Sequence, residues 1–259
     1  MLPGGGLKGA DLLWYRPPIM KLIVLGDIHG NLPALEKCVA ELRKEGYDRV
    51  FHAGDLVGYG PDTDEILQLL KGAGIEGVRG NWDEAVAWEM ESPGVWHPDP
   101  IQGEAGRITY GATCENTTRI GRNILGNLPF EIRFQEGGIS FALMHANPVD
   151  NTTYLFEDAD ELTFREYAKA AAVDVLIFGH THVHYHRQVR SHHFISVGSV
   201  GIPTAGDPRT GYTVLYTGNI GKGIDVNFRR FEYDTQPLAR RYRERGLPDP
   251  FASHLSRTA

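Results

Sequence analysis

Five times along the chain a strand-like run stops short, and an Asp, Asn or His follows at once. The runs are MKLIVLG (20–26) before Asp27, RVFHAG (49–54) before Asp55, IEGVRGN (75–81) ending on Asn81 itself, the segment closing on Met144 before His145, and VDVLIFG (173–179) before His180. The first and last are apolar apart from Lys21 and Asp174 near their starts, as expected of strands covered on both faces in a layered α/β fold. Between the first three lie helical patterns. Asn31 is an N-cap candidate with Pro33 in the first turn, and Leu32, Leu35, Val39 and Leu42 follow at helical spacing. Asp62 with Glu65 makes a capping-box-like start for a helix bearing Ile66, Leu69 and Leu70. Strand–helix–strand alternation of this kind predicts an α/β fold with parallel central strands.

Residues 83–128 carry a mostly helical pattern broken by Pro93, Pro98 and Pro100. A hairpin is expected from 130–135 and 139–145 around Glu136-Gly137-Gly138, then a helix near 158–172. The segments YHRQVR, HFISVG, GYTVLYTG and VNFRRFEY alternate polar and apolar residues, as antiparallel strands do, and an Arg-rich helix is expected over 236–246. No repeat or linker divides residues 20–259, so one domain is expected there. Residues 1–19 have no apolar h-region and read as a flexible extension, with Met20 the expected start.

Composition narrows the function. With 41% hydrophobic and 23% charged residues the chain can bury a sizeable core, and its net charge of −7 disfavours a broad nucleic-acid-binding face. It does not disfavour a small phosphorylated substrate, because bound metal ions can reverse the local field. Cys38 and Cys114 form no CxxC pair, and no apolar run reaches the ~18 residues of a membrane span. A reducing cytoplasm is the expected compartment, and no membrane partner is expected.

The residues at the strand ends define the chemistry. In open α/β sheets ligands gather at the carboxyl ends of parallel strands, so five segments converge on one region. In Asp27-Ile28-His29 and His180-Thr181-His182, alternate residues of an extended segment face the same way. Mixed imidazole and carboxylate ligands suit divalent first-row transition metals, and the lack of Cys ligands argues against structural zinc.

The ordered set D-x-H, G-D, G-N, H and G-H-x-H resembles the signature of the calcineurin-like metallophosphoesterases. GDIHGN (26–31), GDLVGYGPD (54–62), HANP (145–148) and SVGSVGIPTAGDPRTGY (196–212) are similar to its small bacterial and archaeal phosphodiesterase-like members, over roughly residues 20–235. The resemblance implies a four-layer α/β/β/α sandwich with two mixed sheets and a dimetal site on strand-end loops. It implies one metal on Asp27, His29, Asp55 and His182, and a second on Asp55, Asn81, His145 and His180. Manganese is the foremost expectation, with Fe, Zn, Ni or Co as alternatives. Asp55, Asn81 and His180 are also the residues expected to take part in catalysis, by a hydroxide bridging the metals. The expected reaction is hydrolysis of a small phosphodiester, nucleotide-derived substrates included. The alternatives are a phosphomonoesterase acting on nucleotides or proteins, a dinucleoside polyphosphate hydrolase, and a non-catalytic scaffold of the same fold.

Two departures from the family pattern stand out. Where the family usually has G-N-H-[DE], this chain reads Gly80-Asn81-Trp82-Asp83, which removes the imidazole that assists the leaving group and leaves Asp83 without its usual partner. Val149 stands where relatives often carry a basic residue. Arg79, Asn147 and His184 are the substrate-binding candidates: Arg79 and Asn147 have an ion pair and loop packing as the plain readings beside that role, and His184 with His186 continues the alternation from His182, which would line the site. Tyr59 and Tyr154 are read first as loop packing, Cys38 as a buried inert thiol, His52 as a strand residue outside the site, and His97, His192, His193 and His254 as loop or surface residues. Trp82, Trp88 and Trp96 are expected to pack in the core or cap it.

Overall fold

The structure is a computed structural model, and it describes residues 20–95, 99–202, 207–217 and 224–248. The extension 1–19, Trp96, His97 and His254 lie outside the described residues.

β1 (Met20–Leu25) runs parallel to β2 (Arg49–His52), which pairs in parallel with the short β3 (Glu76–Gly77). On its other side β1 takes β9 (Thr210–Thr217) antiparallel, and β10 (Asp225–Phe231) closes that edge. The second sheet orders β4 (Glu131–Glu136), β5 (Ile139–Met144), β6 (Val175–Phe178), β8 (His192–Val197) and β7 (His184–Val189). Its inner strands β5, β6 and β8 are parallel and its two edges antiparallel.

The pleat of β1 explains its apolar run from Leu22 to Leu25. Leu22 and Val24 point between the sheets to meet Phe141, Leu143, Val175, Ile177 and Ile195. Ile23 and Leu25 point the other way, into a cluster with α1 (Leu32–Glu45), α2 (Asp64–Ala73) and α3 (Asn81–Ala87). On the far side of the second sheet Ala142, Met144, Leu176 and Phe194 pack on Phe164 and Ala168 of α6 (Glu161–Ala171). Helix, sheet, sheet, helix are therefore four layers around three apolar interfaces. At about 1.5–3 kcal/mol per fully buried aliphatic side chain, a charge placed at Leu22 or Ile177 would remove one such gain and add an unpaired buried ion.

Local signals hold where the chemistry is local. Asn31 caps α1, its Oδ1 accepting the Ala34 N–H at 3.1 Å, and Gly46 ends it with φ 67°. In the β4–β5 hairpin Glu136 pairs with Ile139, leaving a two-residue turn at Gly137-Gly138 with φ 58° and 83°. Both values are positive, as a type I′ turn requires. Cys38 is fully buried beside Thr210 Oγ1 at 3.3 Å, and burial pushes its thiol up to about 12, so it is inert at neutral pH.

Several expectations need correction. The strand over 75–81 is cut to Glu76–Gly77 because Asp83, at the third position of α3, accepts the Gly80 N–H at 2.9 Å and starts a helix there. Asp62 does not cap α2: Thr63 holds the cap position without a side-chain capping bond, and Asp62 takes Arg241 of α7 (Gln236–Glu244) at 2.5 Å. The helical stretch 83–128 resolves into α3, α4 (Pro100–Asn116) and α5 (Arg119–Asn127). His192 and His193 lie on β8, half-buried, with His193 Nδ1 2.9 Å from His186 Nε2. Trp88 is 53% exposed and lies across Arg79 instead of entering the core. Among the described residues, no helix is long and apolar enough to cross a membrane.

Candidate metal centre

All five strand ends meet. Asp27 and His29 follow β1, Asp55 follows β2, Asn81 opens α3 just beyond β3, His145 follows β5, and His180 and His182 follow β6. Backbone bonds tie these ends together: the Asp55 carbonyl accepts the N–H groups of Ile28 and His29, each at 2.9 Å, and the His145 carbonyl accepts Gly179 N–H at 2.8 Å. Two groups of ligand atoms result, Asp27–His29–His182 and Asp55–His145–His180, each with its atoms within 4.8 Å of one another. Asp55 Oδ2 lies between the groups, 3.7 Å from His29 Nε2 and 3.4 Å from His145 Nε2. Asn81 Oδ1 completes the second group at 2.9 Å from His145 Nε2.

The glycines flanking the site are there for space. A Cβ on Gly80 would lie 2.1 Å from Asp55 Oδ1, and one on Gly179 would lie 2.5 Å from Asp27 Oδ2. The chain is also strained around the site. His29, Asp55, Tyr59, His180 and His182 have φ of 48°, 48°, 54°, 63° and 58°, in the left-handed region that non-glycine residues rarely enter. Each such residue costs about 1–3 kcal/mol, and such strain gathers at functional sites.

Hydrogen bonds fix which nitrogen of each imidazole carries the proton. A backbone carbonyl can only accept, so His29 Nδ1 donates to Val57 O (3.2 Å), His145 Nδ1 to Ala53 O (2.9 Å) and His180 Nε2 to Thr152 O (3.0 Å). The remaining nitrogens, His29 Nε2, His145 Nε2 and His180 Nδ1, present lone pairs to the site. His145 Nε2 faces His180 Nδ1 at 3.1 Å and Asn81 Oδ1 at 2.9 Å, and Asn81 Nδ2 is turned away to donate to Pro93 O at 2.7 Å. With Asp55 Oδ2, four acceptor atoms converge with no more than one carboxyl proton to share. A divalent cation satisfies all four, and carbonyls that orient ligating imidazoles are the usual outer support of a metal site. The residues present therefore fit the metal that their chemistry implies.

Electrostatics agree. Burial raises Asp27 to about 8, and it raises Asp55 well above the carboxylate range, with the Asp27 and Asp83 charges adding to it. Burial lowers His29 and His145 well below the ordinary imidazole value, His180 to about 4 and His182 to about 3. The imidazoles are thus neutral at pH 7, the form that binds metal. The carboxylates are held at a cost that bound cations would offset.

The substrate-binding candidates pack against groups of their own. Arg79 donates to Glu84 at 2.7 Å and to Leu128 O at 2.8 Å, flanked by Trp88 and Phe130, so its guanidinium serves a structural ion pair. Asn147 is fully buried in a turn: its Oδ1 accepts from Val149 and Asp150, and its Nδ2 donates to Thr153 O. His184 packs on Phe228 and against Gly198, beside the charges of Arg230 and Asp207. His52 is buried in β2 against Gly77, and its ring stays outside both ligand groups.

Trp82 and Asp83 have structural work of their own. The indole is buried under the site, 4.3 Å from the Tyr59 ring and 6.0 Å from that of His29, and hydrogen-bonds the Tyr59 hydroxyl. The Asp83 carboxylate accepts Leu56 N–H at 2.9 Å and Gly80 N–H at 2.9 Å, locking the Asp55 loop to the start of α3. Sequence reasoning left Asp83 without a partner. The signal was its position three residues after Gly80, where a carboxylate can cap a helix.

Comparison with known proteins agrees with this fold. The model of the calcineurin-like phosphoesterase superfamily domain matches residues 20–219, and the chain belongs to that superfamily. Among individual proteins, it is 25% identical over 251 residues to the uncharacterized protein MJ0912 of Methanocaldococcus jannaschii, covering 90% of this chain and 96% of that one. Its fold matches the crystal structure of a metallophosphoesterase from Sphaerobacter thermophilus, with TM-score 0.72 and 23% identity over 93% of this chain and 100% of the other. It also matches the hypothetical protein PH1004 from Pyrococcus horikoshii OT3, with TM-score 0.74 and 23% identity over 91% and 97%. Metal-dependent phosphoester hydrolysis is the chemistry of the superfamily.

Proposed function

We propose that the protein is a phosphodiesterase that uses two divalent transition-metal ions, manganese foremost. One ion is held by Asp27, His29, Asp55 and His182, and the other by Asp55, Asn81, His145 and His180. The observation that carries this reading is the convergence of acceptor atoms around Asp55 Oδ2 and His145 Nε2. When bound, the ions supply Lewis-acid activation of water and neutralise the phosphoryl oxygens. The protein's own part is placement: Val57, Ala53 and Thr152 carbonyls aim the imidazoles, and the Trp82 N–H holds Asp55 Oδ1 at 2.9 Å.

Charge favours a diester over a monoester. Two divalent ions against Asp27 and Asp55 leave a net +2, which a hydroxide nucleophile and a diester monoanion bring to zero. A monoester dianion would add a further negative charge. The charges that chiefly perturb Asp27 and Asp55 are carboxylates, not Lys or Arg, and Arg79 is committed to Glu84. The burial of Trp82 at the position of the family's His is in keeping with a substrate whose leaving group departs without that imidazole.

The test is metal analysis of manganese-loaded protein, with rates on bis-p-nitrophenyl phosphate and p-nitrophenyl phosphate before and after chelation. Two ions per chain and a faster, chelator-sensitive diesterase are expected. At most one ion per chain, or undiminished activity after exhaustive chelation, would overturn the reading. A faster monoesterase would make a phosphomonoesterase the better description.

A further inference from the structure

The loop that follows His145 sets two aromatic rings beside the metal-binding cluster. The Tyr154 ring stacks on the His180 imidazole, with centroids 4.0 Å apart and planes 14° from parallel. Phe156 lies nearly parallel to Tyr154, at 5.4 Å and 9°. With stacked planes about 3.5 Å apart, that separation means a lateral offset of roughly 4 Å, so the two rings form a step. Tyr154 is 37% exposed and Phe156 45%, whereas Leu155 between them is buried in the α6 cluster. Alternate residues of an extended stretch point to opposite sides, and the buried leucine turns both rings outward.

The loop is held in shape. Asp150 Oδ1 accepts the N–H groups of Thr152 and Thr153 at 2.8 and 2.7 Å, and the Thr152 carbonyl receives the His180 Nε2–H. Rings that merely filled the core would be buried. These are rigidly presented to solvent, parallel to one another and to a candidate ligand of the metal centre. A planar π system is the ligand whose shape and chemistry match such a step, and base–aromatic stacking tolerates every nucleobase.

We propose that Tyr154 and Phe156 form a stacking platform for a planar aromatic group on the organic arm of the phosphate ester, a nucleobase in particular. This rests on the reading of the adjoining cluster as a phosphodiesterase centre. The platform gives that centre a preference for nucleotide-derived substrates by contacts remote from the phosphorus.

The experiment measures binding of adenosine monophosphate, ribose 5-phosphate and inorganic phosphate to the manganese-loaded full-length protein by calorimetry. Adenosine monophosphate is expected to bind about 5–150-fold tighter than ribose 5-phosphate, the contribution of one stacked base. Phe156→Leu and Tyr154→Leu keep apolar bulk but remove the π face, and each should bring that ratio towards one. Phe156→Tyr should retain it. Equal binding of the two in the wild type, or an unchanged ratio in both leucine variants, overturns the platform. If ribose 5-phosphate and phosphate bind but the base adds nothing, the platform alone fails. If none of the three binds the loaded protein, the phosphodiesterase reading falls with it.

Discussion

Replacing Asp27 by Asn should make the metal-free protein more stable and the metal-loaded protein less competent. Asp27 is fully buried, and burial raises its carboxyl from 3.8 to about 8. An unfolded chain releases that proton near pH 4, while the folded one holds it until about pH 8. Ionisation therefore favours the unfolded state across that window, and stability falls as pH rises through it. At about 1.36 kcal/mol per pKa unit, a folded value near 8 makes the penalty a few kcal/mol at pH 7 and about a third of that at pH 5. The Asp27 charge also raises Asp55, so the two titrate together and these are upper figures. Asparagine cannot ionise, and its carbonyl can still accept the His180 N–H that now reaches Asp27 at 3.0 Å. Urea denaturation of exhaustively chelated wild-type and Asp27→Asn proteins at pH 5 and 7 gives the difference directly. The variant should be more stable by about 2–4 kcal/mol at pH 7 and by less than half of that at pH 5. With manganese present the order should reverse, because the wild type gains binding energy in its folded state and the variant has lost a ligand. A variant that is less stable than wild type at pH 7 without metal, or a difference that does not shrink at pH 5, would refute the reasoning.

Asp83→Ala should destabilise the protein by about 3–5 kcal/mol, since it leaves the buried Leu56 and Gly80 N–H groups unpaired; a loss under 1 kcal/mol in urea denaturation would show that water replaces the carboxylate. Gly80→Ala should cut turnover and manganese occupancy, because its Cβ would fall 2.1 Å from Asp55 Oδ1, and wild-type occupancy by metal analysis would contradict this. Trp82→His should cost about 2–4 kcal/mol of stability through the cavity it opens among Gly58, Tyr59 and Tyr110, and thermal melts within a degree of wild type would contradict the packing account.

How much of this could be read from the chain depends on how far apart the interacting groups lie. Apolar runs, caps and glycine turns act over a few residues, so the sequence specified the strand at Met20–Leu25, the Asn31-capped helix and the Gly137-Gly138 hairpin. It also specified the candidate ligand types, because Asp, Asn and His fall where strands end and the ends of parallel strands share one side. The short reach of local signals explains the errors as well. Glu76–Gly77 is a strand of only two residues because a carboxylate at Asp83 starts a helix, and the choice for Arg79 between a phosphate contact and an ion pair stays open in the sequence because its 2.7 Å partner Glu84 is set by how the chain turns into that helix.

Only the tertiary structure decided which nitrogen of each histidine faces the cluster, since the orienting carbonyls of Val57, Ala53 and Thr152 come from 28, 92 and 28 residues away. The same holds for the left-handed backbone at Asp55, His180 and His182 and for the stacking of Tyr154 on His180. A side chain's identity fixes what it can bind. Its direction, tautomer and charge are fixed by neighbours that the chain brings close only when both sheets have packed.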